Sequence, residues 1–313
     1  MELVLVPDPL APNGEDAFCR ELAKRAPQHG HNVRVERIAN FNSPCDAVLI
    51  NSLQPAALRA AQATGRKTAV RLIDSYEDSE VQRLALSADR LLVPSLHMAK
   101  IVQAWGANGS VRQVPYAYDR IKAKQIALVT MRAAQPAFHM VACALLDDSS
   151  QRGFETLLSA VARLRLDCHL SIIGEGPARR ALEDKARQFV IRDKISFLGS
   201  VSHDKTMEYF RASRAYIDPC GREGFPSLAL HALSEGCPVI GAKAGAVQEL
   251  IHHGKNGLLF TPGDAGELSE IIVELCSVRG LSLKLIEEGI QTVGRHSWDA
   301  TARAAFSALE DLT

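Results

Sequence analysis

The stretch Tyr216–His231 reads YIDPCGREGFPSLALH and runs on as ALSEGCPVIG to residue 241. An apolar run ends at Pro219, a loop carries Glu223 and Gly224, and a helical pattern starts with Pro226 in its first turn. A proline there loses nothing, because its absent N–H would have had no partner within the helix. The remaining N–H groups of such a helix start point outward and favour an anion. One helix start is by itself a weak signal, and its neighbours on both sides decide what it belongs to.

Upstream, short apolar runs alternate with helical patterns. Strands are expected at Glu2–Pro7, Asn32–Arg37, Asp46–Asn51, Thr68–Ile73, Arg90–Val93 and Ser110–Val114. Helices are expected at Glu15–Ala26, Gln54–Ala63, residues 77–88 and Leu96–Trp105. The second half repeats the logic. Strands fall at Phe138–Leu145, Leu170–Ile173, Ile195–Leu198, Ala215–Ile217, Pro238–Gly241 and Gly257–Phe260. Helices fall at Gly153–Leu164, Pro177–Gln188, Lys205–Ser213, Ser227–Glu235, Ala246–His252 and Ala265–Arg279. This is an α/β chain of two Rossmann-like domains, each a parallel sheet covered by helices. The boundary is expected near Arg120–Ala134, which gives domains 1–125 and 126–296, with 297–313 returning to the first. Doubly wound sheets hold ligands at the carboxyl ends of their strands, here expected in a cleft.

Composition narrows the function classes. Of 313 residues, 47% are apolar and 23% charged, as in ordinary globular proteins. Lys+Arg and Asp+Glu are both 36, so generic attraction to nucleic acid is not expected. The first 125 residues carry 16 basic against 13 acidic groups, too mild a bias to indicate membrane association by charge. No apolar run is long enough to span a bilayer, and the N-terminus lacks the pattern of a signal peptide. A cytoplasmic location is expected. The seven scattered cysteines form no C-x-x-C pair and read as free thiols.

The segments from Phe138 to Asp264 resemble the donor domain of the retaining glycosyltransferases of group 1, also called family four. The resemblance rests on QRGFETLLSA (151–160), IIGEGP (172–177), FLGSV (197–201), Glu223–Pro226, GCPVI (236–240), Gly245 with Glu249, and GKNGLLFTPGD (254–264). The first domain is similar through Pro12–Glu15, Ala23, Gly30–Val33, Val93–Ser95 and Val114–Asp119, and the end of the chain through Ser297–Trp298. The resemblance implies the two-domain GT-B fold with a final helix crossing back to the first domain. It implies a hexosyl-type transferase that moves a sugar from a nucleotide-sugar with retention at the anomeric carbon. The acceptor could be a saccharide, a lipid-linked sugar, a small molecule or a protein. No Asp-x-Asp motif occurs, so neither a metal nor another cofactor is expected.

Carried over residue by residue, the resemblance places Arg152 against the donor diphosphate, where a guanidinium grips two oxygens at once. Glu223 would contact hydroxyls of the transferred sugar. The N–H groups around Gly224, Phe225, Pro226 and Ser227 would stabilise the leaving diphosphate. Gly14 would let the opening loop approach the donor phosphate. Gly174, Glu175, Gly176, Leu198, Ser200 and Val201 would line the base pocket.

Three positions depart from the family. Its second Glu, which accepts the ribose hydroxyls, is His231 here, and a neutral imidazole accepts only one hydrogen bond. Glu235, four residues on, shares a helical face with His231. The segment Ala144–Ser150 lacks the family's Arg and carries Asp147 and Asp148 instead. The family's first-domain His is absent from Arg71–Tyr76, where Asp74 is the surrogate. Two readings stay open: an active transferase with an atypical donor site, and a weak or inactive homologue serving as a binding or scaffold partner. A nucleotide-sugar epimerase on the same fold is a third.

Overall fold

The computed structural model describes residues 1–9, 16–36, 44–73, 76, 78–107, 110–118, 137–221 and 224–312. The chain divides into two units. The first is Met1–Asp119 with Glu223–Phe225 and His296–Thr313; the second is Arg120–Arg222 with Pro226–Arg295.

In the first unit, six parallel strands pair in the order β2-β1-β3-β4-β5-β6. They are β1 (Glu2–Val6), β2 (Asn32–Val35), β3 (Ala47–Asn51), β4 (Lys67–Arg71), β5 (Arg90–Val93) and β6 (Val111–Gln113). Both faces of the central strands are buried: every residue of β3 and β5 is enclosed. That is why they read as unbroken apolar runs rather than alternating ones. The helices are α1 (Ala17–Arg25), α2 (Pro55–Ala63), α3 (Ser79–Leu86) and α4 (Leu96–Ala104).

The final helix, Trp298–Glu310, belongs to this unit. Ser297 starts it by accepting the Ala300 N–H at 3.3 Å, the usual work of an N-cap serine. Its apolar stripe of Ala302, Ala305, Phe306 and Leu309 packs with Phe18 and Leu22 of α1 and with Leu3, Leu5 and Leu49 of the sheet. Phe306 is fully enclosed, and burial of such a side chain contributes about 1.5–3 kcal/mol. Thr301 Oγ1 donates to Pro115 O at 2.8 Å and Arg90 Nη1 to Ala308 O at 2.8 Å, which fixes the helix along its length.

In the second unit the order is β12-β11-β10-β7-β8-β9, again parallel. The strands are β7 (Phe138–Cys143), β8 (Cys168–Ile173), β9 (Ile195–Gly199), β10 (Ala215–Asp218), β11 (Val239–Ala242) and β12 (Leu258–Phe260). The direction of winding reverses between β7 and β10, so the crevice of a doubly wound sheet lies at their carboxyl ends. The helices continue as α5 (Asp148–Arg163), α6 (Arg179–Gln188), α7 (His203–Ala212), α8 (Ser227–Ser234), α9 (Val247–Leu250), α10 (Ala265–Ser277) and α11 (Leu281–Arg295), with Trp298–Glu310 as α12.

Two elements differ from the sequence expectation. Helix α5 begins at Asp148, not Gly153, because Asp147 and Ser150 form a reciprocal capping box that starts the helix earlier. Helix α11 was not expected at all. Its Gly289 and Gly294 depress helix propensity, but a Cβ on Gly289 would stand 2.8 Å from Leu233 Cδ2. The missing side chain is what lets α11 pack closely on α8.

Candidate active site

The carboxyl ends of β7, β8, β9 and β10 are drawn together by glycines. A Cβ on Gly174 would overlap the carbonyl oxygen of Ala144, and one on Gly176 that of Leu146. Both glycines also hold positive φ, +143 and +149. Backbone bonds knit these loops: Leu146 N–H to Glu175 O at 2.9 Å, Ala178 N–H to Leu146 O at 2.9 Å, and Gly174 N–H to Gly199 O at 2.9 Å. The Glu175 carboxylate turns to Arg179, one turn along, and is half-exposed. Leu198, in β9, and Val201, beyond it, are partly buried, while Ser200 is exposed. Ser202 starts α7 by accepting the Lys205 N–H at 3.3 Å.

Arg152 lies in the second turn of α5 and is exposed. No hydrogen bond or ion pair engages its guanidinium among the described residues. Its neighbour Gly153 fixes where it stands. A Cβ there would overlap the Pro219 carbonyl and lie 3.2 Å from Cys220 Sγ, so α5 rests against the loop that leaves β10. That loop turns sharply: Asp218 Oδ1 accepts the N–H groups of Cys220 at 3.2 Å and Gly221 at 3.4 Å. Asp147, which would repel a diphosphate if it faced one, instead accepts from Ser150 N at 3.0 Å and Ser149 Oγ at 2.6 Å.

Pro226 takes the cap position of α8, one residue before the expected first turn. No side chain among the described residues caps this helix start. Ser227 is the first helical residue and is partly exposed. Gly224 is buried. Phe225 belongs to the first unit, and its ring stacks on Tyr116 with centroids 5.1 Å apart and planes 11° from parallel.

His231 is 8% exposed. Burial, and then the neighbouring His203, pushes its pKa down to about 3, so the ring is neutral near pH 7. Glu235 caps the far end of α8, its carboxylate 3.3 Å from Arg211 Nη1. Glu223, Gly14 and Asp74 lie outside the described residues.

Sequence reasoning missed a polar layer at the carboxyl edge of the first sheet. The Asp16 carboxylate accepts from Phe18 N at 2.9 Å, Cys19 N at 3.1 Å, Asp8 N at 2.7 Å and Asn51 Nδ2 at 2.6 Å. Asn51 Oδ1 in turn accepts from Arg71 Nη1 at 2.9 Å. The Arg71 guanidinium is buried and lies over the Phe18 ring, 4.1 Å from its centroid. Its burial pushes the guanidinium pKa down, opposed by Tyr116 and Asp16. The one available signal was an Asn and an Arg, each ending an apolar strand.

Among the described residues, no group of three or more His, Cys, Asp or Glu side chains could hold a metal ion. No helix among them is long and apolar enough to cross a membrane.

Residues 147–292 match the family model described as glycosyl transferases group 1. The matched segment contains Arg152, the glycine-drawn loops and α8. Among curated proteins, an uncharacterized glycosyltransferase of Methanocaldococcus jannaschii is 29% identical over 156 residues, 49% of this chain and 40% of that protein. The lipopolysaccharide core biosynthesis glycosyltransferase LpsE of Rhizobium meliloti is 28% identical over 160 residues, 51% of this chain and 46% of that protein. The matches to these relatives span less than half of their length. Among solved structures, sucrose-phosphate synthase of Thermosynechococcus elongatus superposes with TM-score 0.77 at 17% identity, covering 100% of this chain and 99% of that one. HepE of Anabaena, in complex with UDP and glucose, superposes with TM-score 0.77 at 18% identity, covering 100% of both chains. The fold is GT-B, and the matches together support a group 1 glycosyltransferase.

Proposed function

We propose that this protein is a retaining, metal-independent, hexosyl-type glycosyltransferase that moves a sugar from a nucleotide-sugar to an acceptor hydroxyl. In that reaction the bond between the anomeric carbon and the phosphate oxygen breaks. The nucleoside diphosphate leaves with the electron pair, and the acceptor oxygen forms the new bond and loses its proton. The chief demand on the site is to stabilise the charge developing on the diphosphate.

The observation that carries this reading is Arg152. It is exposed, has no partner among the described residues, and is held beside the β10 loop by the close approach at Gly153. A guanidinium in that state offers its paired donors to two phosphate oxygens. The uncapped start of α8 adds N–H groups of the same preference. The donor base falls to the loops at Gly174–Gly176 and Leu198–Val201, and Glu223 positions the transferred sugar. Asp74 and Gly14 are assigned to the same donor on the family resemblance alone. That a neighbour of the same fold was solved with UDP and glucose supports a nucleotide-sugar donor.

A second reading, a weak or inactive homologue that binds rather than transfers, is favoured by two observations. His231 is enclosed and neutral where the family's carboxylate would accept ribose hydroxyls. Leu145, 56% exposed, lies in the segment that lacks the family's base.

A thermal-shift series with UDP-, GDP-, ADP- and TDP-sugars separates the readings when followed by an assay of nucleoside diphosphate release. One donor class is expected to raise the melting temperature according to its occupancy and to be turned over. A shift without turnover across an acceptor panel supports the second reading. No shift with any donor overturns both.

A further inference from the structure

Val190 holds φ +57 with its side chain 90% exposed. It follows Phe189 at the end of α6, where its N–H donates to Arg187 O and the Ile191 N–H to Ala186 O, both at 3.1 Å. This is the left-handed turn that glycine ordinarily fills after a helix. A β-branched side chain is strained there, and an aliphatic group surrounded by water gains no burial to offset the strain. Folding gives no reason for a valine at this position, whereas contact with an apolar medium does.

A cavity of about 230 Å³ lies beside it, between α6, the 3-10 turn Arg192–Lys194 and β9, an edge strand of the second sheet. Ala186, Ile195 and Phe197 form its apolar lining; Arg179, Glu183, Arg187 and Arg192 carry its charge. Arg179 is committed to Glu175 and Glu183, and Arg187 is paired with Asp184. Arg192 is exposed and has no ion pair among the described residues. Lys194 Nζ donates to Leu164 O at 3.3 Å, which brings the exposed Arg163 and Arg165 beside the same turn. From Arg179 to Lys194 the chain carries six Lys/Arg against three Asp/Glu, a local excess that the zero net charge conceals. The turn precedes β9, so this corner is at the amino end of the strands, whereas Arg152 follows the carboxyl end of β7.

We propose that this corner docks on an anionic lipid bilayer. Val190 enters the boundary between headgroups and acyl chains, and Arg163, Arg165 and Arg192 reach lipid phosphates. A single aliphatic side chain among cations is too little apolar area for the core of a protein interface. It matches the interfacial pattern of an apolar tip within a basic ring, and the long arginine stems let the charge stay at headgroup level while the tip is buried.

Co-sedimentation of the full chain with phosphatidylcholine vesicles, with and without phosphatidylglycerol, tests this. Binding is expected only with phosphatidylglycerol and should weaken as salt rises. The double change Arg165→Ala with Arg192→Ala should weaken it on the order of tenfold or more. Val190→Gly separates docking from a structural role: the melting temperature should rise as strain is relieved, while vesicle binding falls. Absence of wild-type binding, equal binding to neutral vesicles, or binding unchanged by both variants overturns the proposal. Retention on polyglutamate without binding to anionic vesicles also overturns it and assigns the corner to an acidic polypeptide.

Discussion

The imidazole of His203, at the start of α7, meets that of His231 edge-on, with centroids 5.3 Å apart and planes at 86°. The enclosed member, His231, is kept neutral. The folded pKa of about 3 is below the ordinary 6.5, so between those values the unfolded chain binds a proton that the folded one does not. Stability from this group is therefore full above about pH 6.5 and is lost as pH falls toward 3, by an amount on the order of a few kcal/mol. Urea unfolding of the wild type should show a lower midpoint at about pH 4.5 than at about pH 7.5. His231→Gln should flatten that dependence.

Arg152→Ala should weaken nucleoside diphosphate binding by about 1.5–3 kcal/mol, the range for charge-assisted hydrogen bonds. The melting temperature should hardly move, because the side chain is exposed and has no hydrogen bond or ion pair among the described residues. Calorimetric titration of wild type and variant reads the difference. Equal affinity would remove Arg152 from the site.

Glu223→Gln should reduce turnover strongly while leaving nucleoside diphosphate affinity nearly intact, because positioning the sugar affects rate more than binding. On the active reading, His231→Glu restores the family's ribose acceptor and should tighten donor binding. Turnover undiminished in Glu223→Gln would place the centre of the site elsewhere.

Gly153→Ala is expected to destabilise the fold even though alanine favours a helix by about 1 kcal/mol. The added methyl overlaps the Pro219 carbonyl, and such overpacking costs about 1–3 kcal/mol. The melting temperature should fall, and nucleotide affinity with it, since α5 can then no longer rest on the β10 loop. A raised melting temperature would show that the close approach has slack.

Asn51→Leu removes the link between Asp16 and Arg71 and leaves a buried guanidinium with one partner fewer. Loss of a member of a buried charged network costs roughly 3 kcal/mol or more. Denaturant unfolding should show it. A change within about 0.5 kcal/mol would mean that water replaces the amide.

The alternation of strands and helices was legible because period and burial are local. LVLV, AVLI and LLV are apolar throughout since both sheet faces are covered. The loop glycines were legible for the same reason, as a chain that must turn tightly at a strand end admits little else. The start of α5 was misplaced because a capping box competes with apolar periodicity and overrides it. Helix α11 was hidden because its glycines argue against a helix until Leu233 is seen to need the space. Residue identity determined which groups could serve a donor site, Arg152 and His231 among them. Whether each is free to act was decided only by tertiary structure. Desolvation and close approach depend on neighbours far off in the sequence: His203 against His231, Pro219 against Gly153, and Asp16 and Asn51 beside Arg71.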